Sequence, residues 1–148
     1  MIQHLVNLLS GAQDAPKADT EGAERIAIAA ILVEAARADG EYLAEEQAMI
    51  ERILAERFAL PDAEAAALRE DGELAQAEAV DLVRFTRIIK DAIPFEERIE
   101  VIEAVWRVVY ADDDRHHNEA SLIRRLAGLL YVPDREAGLA RQRVTGQT

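Results

Sequence analysis

Two acidic pairs with one spacing, Asp39 with Glu46 and Asp112 with Glu119, are the residues of this chain best suited to chemistry. Each pair reads Asp-x6-Glu, the Asp closing one apolar segment and the Glu falling in the first turn of the next. A tight interhelical turn brings such carboxylates together, and hard divalent cations take oxygen ligands of this kind. A divalent metal ion, its identity left open, is therefore the cofactor these residues suggest. Neither loop is an EF-hand. The sixth position from the Asp is Ala44 or His117 rather than Gly, and the twelfth is Ile50 or Ile123 rather than Glu. The plainer alternative is electrostatic, since acids at helix N-termini cap them and favour the dipole, each contributing roughly 0.3–1 kcal/mol. The second loop adds Asp114, His116 and His117. Carboxylates beside imidazoles suit Zn²⁺, Ni²⁺ or Mn²⁺, but adjacent histidines on one short loop rarely face a single ion, and a solvent-facing placement is simpler.

Other chemistry finds little support. The chain has no cysteine, which removes disulfides, thiolate metal sites and a cysteine nucleophile. Its two serines, Ser10 and Ser121, lie outside any Gly-x-Ser-x-Gly elbow. Ser121 follows His117 by four residues, yet no acid is placed to orient that histidine as a triad requires. A di-iron bundle needs Glu-x-x-His on two helices, and His4, His116 and His117 all lack a Glu three residues before them. Seven scattered glycines form no phosphate-cradling loop. A net charge of −12 opposes nucleic acid as a primary ligand, because phosphate binding needs a basic footprint.

The elements that must position the acids are helices. Apolar residues recur at the 3.6-residue period: Ile26, Ala30, Val33 and Ala36; Ile50, Ile53, Leu54 and Phe58; Leu82, Phe85, Ile89 and Ala92; Leu122, Leu126, Leu129 and Leu130. The segment from Ile99 to Tyr110 is apolar over most of its circumference, which predicts a place in the middle of a bundle. Pro61-Asp62 and Pro133-Asp134 each follow an apolar helix end, with Asp as the expected N-cap and Glu64 and Glu136 in the first turn. Pro94 can open a helix, because its missing N–H would be unpaired there anyway. The expected fold is all-α, with helices near 2–10, 22–38, 43–58, 62–71, 75–92, 95–110 and 117–130 and a last one from Asp134.

The chain also repeats itself. With an offset of 73, Ala38 and Asp39 fall on Ala111 and Asp112, Glu46 on Glu119, Ile50 on Ile123 and Arg52 on Arg125. With an offset of 72, Pro61-Asp62-Ala63-Glu64-Ala65 falls on Pro133-Asp134-Arg135-Glu136-Ala137, and Arg69 on Arg141. Two copies at this period describe a pseudo-symmetric bundle rather than a solenoid. The expected organisation is a single domain over 1–148. Within it, 1–21 form an N-terminal amphipathic helix and polar linker, 22–71 a first unit, 75–92 a connecting helix and 95–144 a second unit.

The segments Asp81-Leu82-Val83-Arg84-Phe85-Thr86, Glu96-Glu97-Arg98-Ile99, Tyr110-Ala111-Asp112, Leu122-Ile123-Arg124-Arg125-Leu126-Ala127 and Leu129-Leu130-Tyr131-Val132-Pro133 resemble the TerB-like family. That family includes tellurite-resistance protein B and is related to the N-terminal domain of the DjlA co-chaperone. The resemblance spans about residues 22–141. It implies an all-helical fold of two similar units, acidic loop positions suspected of binding divalent metal, and a role in stress response without enzymatic activity. The family usually carries Ala-Asp-Gly in both loops; Ala38-Asp39-Gly40 follows this, while the second loop reads Ala111-Asp112-Asp113.

Charge is uneven, with acids outnumbering bases thirteen to three between Asp39 and Asp81. The longest apolar run, Ile26 to Val33, has eight residues, against about 20 for a membrane-spanning helix. The start, Met1-Ile2-Gln3-His4-Leu5-Val6, has neither a basic region nor a long apolar stretch, so no secretory signal and a cytoplasmic location are expected. Ile2, Leu5, Val6, Leu8 and Leu9 make a short amphipathic helix with no Lys or Arg, which favours docking on protein over anionic lipid. The expected function is a non-enzymatic helical binding module with a protein partner, able to form homo-oligomers and to take a divalent cation through Asp39, Glu46, Asp112 and Glu119. The alternatives are a metal-dependent enzyme with an open site at the second acidic loop, or a structural interaction domain without metal.

Overall fold

The structure is a computed structural model, and it describes residues 17–38, 40–111 and 118–146, the side chains of 17–20, 118 and 119 excepted. These residues form seven helices and no strand: α1 (Lys17–Arg37), α2 (Ala44–Phe58), α3 (Asp62–Glu78), α4 (Val83–Ala92), α5 (Phe95–Val109), α6 (Asn118–Leu129) and α7 (Asp134–Thr145). The all-α expectation holds. The helix expected over 2–10 lies outside the described residues, and α1 begins five residues earlier than the sequence pattern suggested.

Two helices occupy the middle. Helix α5, buried at seven positions between Val101 and Val109, packs against α7, α1, α2, α6 and α4. Helix α1 is the more enclosed: every residue from Ile26 to Val33 is buried, and it touches α2, α3, α4, α5 and α6. Its alanines at 27, 29, 30, 35 and 36 are all buried, and such small side chains let neighbouring backbones come close. The closest approach is made by α3. A Cβ placed on Gly72 would lie 2.6 Å from the Cβ and 2.8 Å from the carbonyl carbon of Ala29. Helix α3 runs on through Gly72 to Glu78, beyond the expected end at residue 71. Gly72 serves the α1–α3 contact and does not break the helix.

The connecting helix expected over 75–92 is correspondingly divided, and only Val83–Ala92 belongs to α4. Just before its start Asp81 Oδ1 accepts the Val83 N–H at 2.9 Å in an Asx-type turn, with Leu82 as the N-cap. The buried Thr86 hydroxyl donates back to the Leu82 carbonyl at 3.1 Å. At the other end, Arg98 of α5 donates to the Ile93 and Leu130 carbonyls, each at 2.9 Å, tying the ends of α4 and α6 to one side chain. Several residues that carry the family resemblance therefore have structural tasks.

The repeat appears in three dimensions as two matching sets, α1-α2-α3 and α5-α6-α7, with α4 between them. In each set the first helix packs on the third, the second on the third, and the first on the second. The joints before the third helices match closely. Among the described residues, Ala59 and Tyr131 are the non-glycine residues at positive φ, +53° and +57°. The following amides, Leu60 and Val132, donate to Ala55 and Ala127 at 3.1 and 2.8 Å, closing each helix by a Schellman-type bond. The N-caps of α3 and α7 are Pro61 and Pro133 rather than Asp62 and Asp134, which are the first helical residues. Extended backbone at each proline aims its carbonyl into the new helix, where it accepts the Ala65 or Ala137 N–H at 3.0 Å.

Candidate functional site

Helix α1 and helix α5 end in the same way. The Ala38 N–H donates to Ala35 at 3.4 Å and the Ala111 N–H to Val108 at 3.1 Å, so one turn geometry leads into Asp39 and Asp112. Asp39, Asp112 and the side chain of Glu119 lie outside the described residues, as do Asp114, His116 and His117. At the first joint the chain turns through Gly40 at φ +87°, a conformation that favours glycine, and its N–H donates to Arg37 at 3.0 Å.

Glu46 is the candidate ligand whose surroundings are visible. It is only 1% exposed, and its Oε1 accepts the backbone N–H of Leu43, the N-cap of α2, at 2.8 Å. This is the carboxylate half of a capping box. Among the described residues no group of three or more His, Asp or Glu side chains is placed to share a metal ion. A carboxylate is a fitting donor for a hard cation, but this one already holds α2 at its start.

Beside that joint, polar side chains cross-link α1, α2 and α3. Tyr42 donates its hydroxyl to Glu73 at 2.5 Å, and Arg69 bonds both Glu73 and Glu51, the latter at 2.6 Å. Arg37 donates to Gln76 at 2.5 Å and lies over the Tyr42 ring, while the Gln76 amide donates to Glu34 at 2.8 Å. Burial, then donation to Glu73, holds the Tyr42 hydroxyl well above the ordinary tyrosine range. Burial works against the charge on Arg69, but the bonds to Glu51, Tyr42 and Glu73 outweigh it and keep the guanidinium firmly protonated. The sequence reading does not single these residues out as a cluster. The i,i+4 spacing of Arg69 and Glu73 was legible, but their partners on α2 are not.

Clefts among the described residues include one charged and one apolar. One, of about 670 Å³, lies between α1, α2 and α5 and is lined by charged side chains. At its centre Arg57 pairs with Glu97 at 3.0 Å and Glu100 at 3.3 Å and reaches Glu24 at 4.0 Å. Burial pushes the Glu24 carboxyl above the usual carboxylate range, against the pull of Arg57 and helped by Glu97. The other cleft, of about 340 Å³, lies between α1, α3 and α4 and is mainly apolar. Tyr42 and Arg69 line neither cleft. On the opposite unit, Trp106 donates to the Ala137 carbonyl at 3.2 Å, and Arg141 bonds the Tyr110 hydroxyl at 2.8 Å while lying over the Trp106 ring. No helix among the described residues is long and apolar enough to cross a membrane.

A family model described as tellurite resistance protein TerB matches residues 25–142. None of the curated proteins and none of the solved structures matches the chain.

Proposed function

The chain belongs to the TerB family of tellurite resistance proteins, and from that premise we propose that it is a non-enzymatic helical binding module, acting in a tellurite-resistance-like stress response, whose acidic interhelical joints take a divalent cation. The observation that carries this reading is the matched pair of turns at Ala38 and Ala111, each leading into an Asp with a Glu seven residues later. Asp39 and Glu46 would hold an ion at the first joint, and Asp112 and Glu119 at the second. A hard cation supplies positive charge that links two helix ends across a short loop, in a region where acids far outnumber bases. The module then recruits a protein partner through its surface, with no chemical step of its own.

The burial of Glu46 and its bond to Leu43 favour a second reading, in which the joint acids are caps and the domain is an interaction scaffold without metal. The two are separated by thermal unfolding of metal-free protein with and without Ca²⁺, Mg²⁺, Mn²⁺ and Zn²⁺. A ligand at 100 times its Kd stabilises by about 2.7 kcal/mol, several degrees for a chain of this size. Because Glu46 also caps α2, its removal would lower stability with or without metal. The discriminating variant is therefore Asp39→Asn with Asp112→Asn. A shift for one ion that disappears in this variant supports the metal reading. No shift with any ion sinks it and leaves the scaffold.

A further inference from the structure

The surplus of acid in this chain is not shared by all its faces. Helix α3 carries six acids and one arginine, whereas α4 carries two arginines and a lysine against one aspartate. Arg84 and Arg87 on α4 and Arg124 and Arg125 on α6 are all exposed, and α4 packs on α6. Among the described residues none of the four pairs with a carboxylate. One turn along α4 from Arg87, the Lys90 ammonium lies 4.0 Å from the ring of Tyr131, which is 69% exposed. An exposed aromatic side chain among arginines has the composition of an interface. We propose that this basic face docks, head to tail, on the acidic outer face of α3 in a second copy of the chain.

Complementarity identifies the occupant. On α3, Glu64 and Glu70 are exposed and likewise hold no ion pair among the described residues. Leu74, one turn after Glu70, is 41% exposed. Acids around an apolar side chain match arginines around an aromatic one, so opposite charges meet while Leu74 and Tyr131 leave water together. Within one chain the two faces stay apart, because α3 packs on α1 and α2, and α6 on α1, α4, α5 and α7. The net charge of −12 repels copies that approach in other orientations, which selects the one contact where the signs are opposite. Because unlike faces meet, every added copy leaves one basic and one acidic face open, and assembly continues past the dimer.

The test is analytical sedimentation of the full chain in chelator-treated buffer, so that no metal ion bridges the copies. At low ionic strength the parent should associate increasingly with protein concentration, and the association should vanish in about 1 M salt, where the screening length falls to about 3 Å. Two exposed double variants follow, Arg87→Glu with Arg124→Glu and Glu64→Lys with Glu70→Lys. Each alone should associate roughly tenfold more weakly than the parent, since like charges now face each other. An equimolar mixture should associate again, because each variant supplies the face that the other lacks. Far-ultraviolet circular dichroism matching the parent shows that both variants fold. The lysine variant also makes the net charge of −12 less negative. Were bulk repulsion alone in control, it would associate more readily than the parent, and that result overturns the proposal. A parent that stays monomeric at every concentration in low salt overturns it too, as does a mixture that sediments like its separate components.

Discussion

Replacing Gly72 by alanine should destabilise this protein, although the same change in an open helix position stabilises. Within a helix interior alanine is better than glycine by roughly 0.8–1 kcal/mol. At Gly72 the new methyl would sit 2.6 Å from the Ala29 Cβ and 2.8 Å from its carbonyl carbon, where carbon atoms prefer about 3.5–4.0 Å. None of these neighbours is the end of a flexible side chain, so α3 itself must withdraw from α1 by about 1 Å. Overpacking of this kind costs typically 1–3 kcal/mol, and the backbone location points to the upper half of that range. Net of the helix preference, Gly72→Ala should lose about 1–2 kcal/mol, a fall of roughly 3–6 °C in Tm. Gly138 supplies the contrast. It lies in the interior of α7, is exposed, and an added Cβ there meets nothing within 4 Å. Gly138→Ala should therefore gain up to about 1 kcal/mol. Thermal and urea unfolding followed by far-ultraviolet circular dichroism gives both signs in one series. If Gly72→Ala is as stable as the parent or more so, the close α1–α3 approach at this glycine is wrong.

Two further substitutions probe the joints and the charged cleft. Ala59 holds φ +53° at the end of α2, and a left-handed non-glycine residue costs about 1–2 kcal/mol. Ala59→Gly should thus raise stability by about 0.5–1 kcal/mol after the extra freedom of glycine in the unfolded chain is deducted; a lower Tm would contradict the strain. Tyr131→Gly should gain less, because the Lys90 ammonium rests 4.0 Å from that ring. The raised Glu24 carboxyl has a definite sign. The folded state holds its proton to higher pH than the unfolded state does, so its contribution falls as pH rises from the unfolded value through the folded one. Glu24→Gln should raise Tm at pH 7 relative to the parent, and the difference should shrink once the pH drops below the ordinary carboxylate range. An unchanged difference across a pH series of melts would show that Glu24 titrates normally.

The joints show most clearly how local chemistry writes itself twice. The offset of 72 that aligns the two prolines puts Ala59 on Tyr131, and both take up the left-handed conformation two residues before a proline. An alanine and a tyrosine share a strained φ there because each chain end is held by the same bond back to the preceding helix. Composition would not have suggested either residue for that role.

Helical period, the repeat, the proline joints and the resemblance to the TerB family were all legible in the residues, because each depends on near neighbours or on one half matching the other. The apolar circumference of Ile99 to Tyr110 announced a central helix, whereas the fuller enclosure of α1 shows only in the fold. What needed the tertiary structure was everything that depends on which surfaces meet. The helix expected over 62–71 runs on through Gly72 to Glu78, and only the fold shows Ala29 against that glycine. The boundary between α3 and α4, with the Asp81 turn beside it, likewise appears only in the fold. Tyr42, Glu51, Arg69 and Glu73 become one cluster only when α2 and α3 lie side by side. Glu46 reads in sequence as a first-turn acid suited to a cation or to a cap, and packing decides that it is buried on the amide of the N-cap residue Leu43. Sequence spacing fixes what a residue can reach along its helix, whereas the crossing of helices fixes what it meets.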